Sequence, residues 1–495
     1  MPSNSGRIDL YFYASVAIVI ASAVYFAFMC NSIWDYTMDD SYISFRYARN
    51  LVDGYGLRFN PTDVEPVEGF TSLLWLAAVV PSFLLRFPVE FFSKLISLFF
   101  VVGTAGLIGL CIYTVGGEEE GTRKRVLYPA LGASAYFCFF PVFILSVSGM
   151  ETALSSFLVA LCAYQVLRFS HHSVKFNLAV VFALTLLALG LARPDLNIFS
   201  ISMLLVAIMG CDRPEDRRWL TLSGAFYVLA GATYFLWRWW YFSNLLPLPF
   251  YIKSTAPGFY GVPDVLKFLG EPLVALAFIF GIAAGGRLRG LWFAAIAYIL
   301  FFTKPQHLMG EGYRFLMPSL PILIVVGMLG ARSLFQRWSF KITTPLMFVA
   351  TLAASVASID FNQISFLGLY AKALKSTYGA IGEDLKNEGK KGVVAVSSVG
   401  VISYVSDWSV VDMFGLCNAE IARHPEKRLD VIFDAIPKYI ILVSADREKY
   451  TPRISQHRSD FNQDIYNLAV FKNYQTIKVY EFFSGFYLFL LKRPN

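Results

Sequence analysis

Hydrophobic runs of about 15 to 25 residues recur from Leu10 to about residue 358, each close to the length that crosses a bilayer as a helix. A soluble core has no room for so many, so a polytopic α-helical membrane protein is predicted. Composition agrees: 56% of the 495 residues are hydrophobic and 16% are charged, where a soluble domain carries about 25% charged residues. The net charge of +7 is spread over short loops rather than gathered on one face. That pattern argues against nucleic acid as a partner and fits positive-inside topology. The six cysteines lack CxxC and zinc-ligand spacings, so no disulfide framework or structural zinc is expected. Leu10 to Met29 is followed by no small-residue cleavage site and reads as a retained helix.

Threading the chain turns on one short segment. Leu73 to Leu85, which contains Pro81, reaches only about 20 Å as a helix, against a hydrocarbon core of about 30 Å. It is read as interfacial or re-entrant. About eleven spans remain, centred near residues 19, 105, 136, 160, 184, 203, 231, 278, 296, 323 and 350. Loops on one side then hold about fourteen basic residues, among them Arg123-Lys124-Arg125 and Arg213 with Arg217-Arg218, which marks that side as cytoplasmic. The segments of unusual chemistry fall on the opposite, exoplasmic side. From about Asp360 the composition is that of a soluble domain. Gly392 to Ser397 and Tyr439 to Val443 read as buried strands and Leu369 to Asn387 as helix, which predicts a small α/β sheet. Ser484 to Leu491 is apolar but too short to cross.

The exoplasmic loops carry the candidate chemistry. Asp39-Asp40 follows the first hydrophobic run; adjacent carboxylates near a low-dielectric slab repel, and one holds its proton more tightly. One Asp can cap the following helix, and either can act as a general base on an acceptor hydroxyl or hold a cation. Arg46, Arg49 and Arg58 follow, suited to anionic lipid headgroups or to a phosphate. Glu68 lies before the interfacial segment, and Glu151 stands where a helix N-terminus favours a carboxylate. Arg193 precedes Pro194-Asp195, a local ion pair or part of a site. Lys253 and Arg314 are set among aromatic residues, where cations suit a phosphate leaving group. His307 has no second histidine at metal-ligand spacing. Motifs for soluble nucleotide donors are absent, so an activated substrate outside the cytoplasm is expected on a lipid carrier.

Eight segments in order carry a resemblance: Asp39-Asp40-Ser41-Tyr42 through Asn50-Leu51, Gly56-Leu57 with Phe59-Asn60-Pro61, Val67 to Thr71, Gly149-Met150-Glu151-Thr152, Arg193-Pro194-Asp195, Leu245-Leu246-Pro247 leading to Tyr251-Ile252-Lys253, Tyr313 to Pro318, and Val411 to Leu416. Over nearly its whole length the chain resembles the GT-C superfamily of membrane glycosyltransferases that use polyprenyl-phosphate sugars. The nearest group in these motifs is the terminal arabinofuranosyltransferases of mycobacteria and their bacterial relatives, including those that modify type IV pilin. Leu248 stands where a polar residue is commoner in that group, which puts a ligand contact there in doubt.

The resemblance implies an N-terminal catalytic membrane module over residues 1–245, with a first exoplasmic loop at 31–90. A variable membrane module over 246–359 and an exoplasmic α/β domain over 360–495 complete it. It implies transfer of a sugar, D-arabinofuranose by preference, from polyprenyl phosphate to an exoplasmic glycan or protein at a bacterial inner membrane, pilin being one such acceptor. Asp39, or else Asp40, would be the base, and the reaction would invert the anomeric centre. Lys253, Arg314, Arg193 and Arg46 would hold the departing phosphate, supported by Glu68, Glu151, His307 and Tyr42. A divalent cation is optional, and Asp39 and Asp40 would be its ligands. The alternatives are transfer of mannose or aminoarabinose, ligation of a diphosphate-linked glycan, and transport of a lipid-linked sugar.

Overall fold

The structure is a computed structural model that describes residues 5–63, 65–116, 122–254, 258–307, 309–334, 340–388, 391–453 and 461–494. Long apolar runs become helices because in lipid each backbone N–H and C=O has to be satisfied within its own segment. The membrane part holds α1 (Ser5–Ser32), α2 (Ser41–Val52), α3 (Leu73–Leu84), α4 (Val89–Val115), α5 (Thr122–Cys138), α6 (Phe140–Val147), α7 (Thr152–Arg168) and α8 (Phe176–Ala192). It continues with α9 (Asn197–Met209), α10 (Pro214–Phe242), α11 (Leu248–Ser254), α12 (Val262–Gly270), α13 (Pro272–Gly281), α14 (Gly286–Phe301), α15 (Leu320–Leu334) and α16 (Phe340–Ala357).

Among the described residues, four helices are long and apolar enough to cross a membrane, or six if each of two bent pairs counts as one span. The bend of 61° between α5 and α6 falls at an extended Phe139, with Pro141 opening the next helix. Several apolar helices are shorter, including α7, α8 and α13; the sequence threading counts these as spans too. The segment read as interfacial is α3, of 12 residues, about 18 Å long. The Ser72 hydroxyl caps it by accepting from Trp75 N–H, and the buried Trp75 ring nitrogen donates to Gly149 O at 3.0 Å. On α15, a side chain at Gly327 or Gly330 would collide with the backbone of α13, so the small residues let the two helices pack closely.

After α17 (Phe361–Ala373), a π-turn over Leu374–Gly379 and α18 (Ala380–Lys386), the chain forms one mixed sheet of β1 (Val393–Val396), β2 (Ser409–Asp412), β3 (Tyr439–Ser444), β4 (Gln475–Phe483) and β5 (Phe486–Lys492). The strand order is β2-β1-β3-β5-β4. β1 pairs in parallel with β2 and β3, whereas β5 runs antiparallel to β3 and β4. The apolar segment too short to cross is β5, buried between two strands. α19 (Val401–Ser406) follows β1. α20 (Ala419–Arg423), α21 (Arg428–Asp434) and α22 (Phe461–Phe471) cover the remaining connections. The carboxyl ends of β1 and β2, the usual ligand-facing ends of such strands, lead to Gly400 and Cys417, which touch Asp39 and Gly69 of the membrane part.

Candidate active site

Backbone bonds tie together, in two pairs, four of the segments that carry the candidate chemistry. Met38 N–H donates to Ser148 O at 3.0 Å and Leu248 N–H to Glu68 O at 3.1 Å. Between them lies a cavity of about 400 Å³. Its apolar wall includes Ile43, Phe70, Phe250 and Phe315, and its charged groups are Asp40, Glu151, Arg193, Asp195, Lys304 and Arg314.

The two aspartates of the first loop face different ways. Neither side chain caps α2. Asp40 lines the cavity, with Oδ2 3.8 Å from Nη1 of Arg314. Asp39 turns to the sheet domain, where Oδ1 accepts from Val401 N–H at 2.8 Å and Oδ2 from Gly400 N–H at 3.3 Å. Burial, with the Asp40 charge beside it, pushes the Asp39 carboxyl up to about 7 against those two N–H donors. Helical spacing explains the split. Asp39, Tyr42, Arg46 and Arg49 fall on one face of α2 and its leading turn, whereas Asp40, Ile43 and Ser44 fall on another.

Arg314 and Arg193 share one carboxylate. Glu151, itself 3% exposed, has Oε1 3.3 Å from Nη2 of Arg314 and 3.7 Å from Nη1 of Arg193. Burial raises the Glu151 carboxyl, but the two guanidinium groups outweigh it and hold the group below its ordinary value. Arg193 also pairs with Asp195 at 3.1 Å and lies over the Phe315 ring at 5.3 Å. The Tyr298 hydroxyl lies 2.8 Å from Asp195. Nη1 of Arg193 and Nε of Arg314 are buried and have no hydrogen-bond partner among the described residues. Buried donors in that state are rare, and here they stand beside an open cavity.

Other expected site residues lie elsewhere. Arg46 does not line the cavity: its guanidinium is taken up by Phe59 O, Trp408 O, Ser403 O and Asn60 Oδ1, so it ties α2 to the sheet domain. Tyr42 packs its ring 5.6 Å from Tyr404 on the same side. Glu68 is spent on Arg238, with Oε2 2.5 Å from Nη2, although the next residues, Gly69 to Ser72, do line the cavity. His307 sits behind the wall, its ring 5.4 Å from Phe315 and Nδ1 3.3 Å from Asp264. Lys253 lies in α11, and its side chain is outside the described residues. The cation set also gains Lys304, exposed at the cavity rim, which sequence reading passed over beside His307. Arg238, hidden in an aromatic run, carried a usable signal, since a charge inside a membrane helix is costly and rarely idle.

The arrangement does not suit a cation held by the aspartate pair. Both Asp39 oxygens accept backbone N–H groups. Among the described residues no cluster of three or more His, Cys, Asp or Glu side chains is arranged to hold a metal.

Comparisons with known proteins bear on the fold. Residues 368–489 match a family described as a domain of unknown function (DUF8728). No curated protein matches the sequence significantly. Among solved structures, ArnT from Cupriavidus metallidurans bound to undecaprenyl phosphate is similar at a TM-score of 0.60 and 10% identity, covering 99% of this chain and 98% of that one. The apo form of ArnT gives 0.61 and 10%, covering 96% and 97%. The oligosaccharyltransferase AglB from Archaeoglobus fulgidus, in complex with an inhibitory peptide and a dolichol-phosphate, gives 0.53 and 10%, covering 87% and 69%. The chain therefore has the fold of these membrane proteins, a helical membrane part with a C-terminal sheet domain, as the GT-C resemblance implied.

Proposed function

We propose that the protein is a glycosyltransferase that moves a sugar from a polyprenyl-phosphate carrier to a hydroxyl on an exoplasmic glycan or protein of a bacterial inner membrane. The observation that carries this reading is a carboxylate, Asp40, facing Arg314, Arg193 and Lys304 across one cavity with an aromatic wall. The undecaprenyl phosphate bound to ArnT and the dolichol-phosphate in complex with AglB support it.

In this reading the acceptor oxygen attacks the anomeric carbon from the face opposite the phosphate while Asp40 takes its proton. The bond from that carbon to the phosphate oxygen breaks with its electron pair, and the polyprenyl phosphate leaves with a greater negative charge. Arg314 and Arg193 stabilise that charge in a largely desolvated site, and Lys304 neutralises it from the rim. Glu151 holds both arginines in place. The anomeric centre inverts in one displacement, with no covalent intermediate on the protein and no step assigned to a metal. The motif resemblance favours D-arabinofuranose as the sugar.

The test is transfer from synthetic polyprenyl-phosphoryl-D-arabinofuranose, and from the mannosyl and aminoarabinosyl donors, to envelope glycan and protein fractions by the purified chain. Transfer of one of these sugars, abolished by Asp40→Asn, is expected. Absence of transfer from all three donors, or full activity in Asp40→Asn, overturns the reading.

A further inference from the structure

α2 is held from two sides. One face lines the cavity through Asp40, Ile43 and Ser44. The other is bonded along its length to α19 and its flanks. Asp39 accepts from Gly400 and Val401, Arg46 donates to Ser403 O and Trp408 O, and Arg49 donates to Tyr404 O at 2.9 Å. Arg49 also pairs with Asp407 at 3.1 Å and lies over the Tyr404 ring at 4.7 Å. The closest approach is at Gly400. A Cβ there would overlap the Asp39 carbonyl oxygen and lie 2.5 Å from its Cγ, so any side chain would push the Asp39 peptide away. Asp39 and Asp40 are consecutive, and a shift of one peptide moves the next.

From these contacts we infer that the C-terminal sheet domain positions the base, with Asp39 and Gly400 setting the place of Asp40 in the cavity. The inference rests on the reading of Asp40 given above. It assigns a task to the 368–489 segment, whose matching family carries none. Asp39 is in this sense a positioning residue: among the described residues its carboxylate oxygens meet only backbone donors, and it does not line the cavity. Misplacing a catalytic group by about 1 Å can cost about 100-fold in rate, and Asp39 variants act on that scale without touching the donor.

The experiment compares Asp39→Asn, Asp39→Ala, Gly400→Ala and Asp40→Asn in the full-length protein in lipid nanodiscs. It measures kcat and KM with the donor that supports transfer, the melting midpoint, and carbodiimide modification of Asp40 by peptide mass spectrometry. Asp39→Ala and Gly400→Ala are expected to lower kcat about 10- to 100-fold with KM within about twofold, and to change the modification rate of Asp40. Asp39→Asn keeps one acceptor oxygen and is expected to retain more activity than Asp39→Ala. If Asp40→Asn is inactive while both Asp39 variants and Gly400→Ala keep full kcat and an unchanged Asp40 modification rate, the inference fails and the reading of Asp40 stands. If Asp39→Asn is as inactive as Asp39→Ala while Asp40→Asn works, Asp39 is itself the base and both fail. Where Gly400→Ala lowers the melting midpoint below the assay temperature, the Asp39 variants and the labelling rate decide.

Discussion

Arg46 and Arg193 are both buried arginines, yet their surroundings differ in kind. At the seam between α2 and the sheet domain, Arg46 donates to three carbonyls and an amide oxygen. At the cavity, Arg193 and Arg314 lean on one shared carboxylate, Glu151, and each leaves one buried nitrogen without a hydrogen bond among the described residues. A saturated guanidinium is a joint. In the proposed reading, an unsaturated one beside open space is held ready for a ligand, because leaving a buried donor unmade costs about 1–3 kcal/mol unless something completes it.

The contrast can be broken by mutation, and the largest effect is expected at the carboxylate. Asp40→Asn should lower kcat by about 10² to 10⁴, the usual worth of general base catalysis, with an unchanged melting midpoint; an active variant removes Asp40 from the chemistry. Arg314→Ala comes next, with a loss of about 10² to 10³ in kcat from missing charge stabilisation, while Arg46→Met should leave chemistry nearer to normal and instead destabilise. Each carbonyl that Arg46→Met strands costs about 1–3 kcal/mol, so its signature is a lowered melting midpoint and protease-sensitive loosening of the sheet domain. If Arg46→Met raised the donor KM without loosening the domain, the assignment of the two arginines would reverse. Lys304→Ala, at the exposed rim, should raise the donor KM by no more than about tenfold, the worth of one modest charge-assisted contact.

The smallest effect concerns pH. Burial holds the Asp39 carboxyl at about 7, above the ordinary value of about 4. The folded molecule therefore binds a proton that the unfolded chain has lost over that interval. Stability from this group is full below about pH 4, declines as pH rises to about 7, and is level above it. Melting midpoints measured between pH 5 and 8 should fall with pH, and Asp39→Asn should flatten the slope; an equal slope in the variant assigns the titration to another group.

Much of the site was legible in the sequence because membrane topology sorts residues by side. Asp40, Glu151, Arg193 and Arg314 stand in separate loops, successive ones 42 to 121 positions apart, and placing those loops on one face suffices to name them together. Topology does not say which way a side chain points. Topology alone therefore does not choose between Asp39 and Asp40 as the base, nor separate Arg46 from the cavity arginines: Asp39 and Arg46 both face a sheet domain whose docking surface is set by distant residues such as Gly400 and Ser403. The three- and four-residue spacing of Asp39, Tyr42, Arg46 and Arg49 was visible as one helix face, but not what that face would meet. β1 and β3 were legible as apolar runs. β2 was not, since its outer edge at Val410 is satisfied by the Asn60 amide from the first loop.

The Glu68–Arg238 pair has a further reach. Only 17% of the apolar window of α10 is buried within the protein, the exposure that a lipid-facing span requires, yet its Arg238 grips Glu68, the residue before Gly69 to Ser72 on the cavity wall. A lipid-bordering helix tilts when hydrocarbon thickness changes, and this one would carry the wall with it. Turnover in bilayers of graded acyl-chain length should then pass through an optimum, making membrane thickness a parameter of the reaction rather than only its setting.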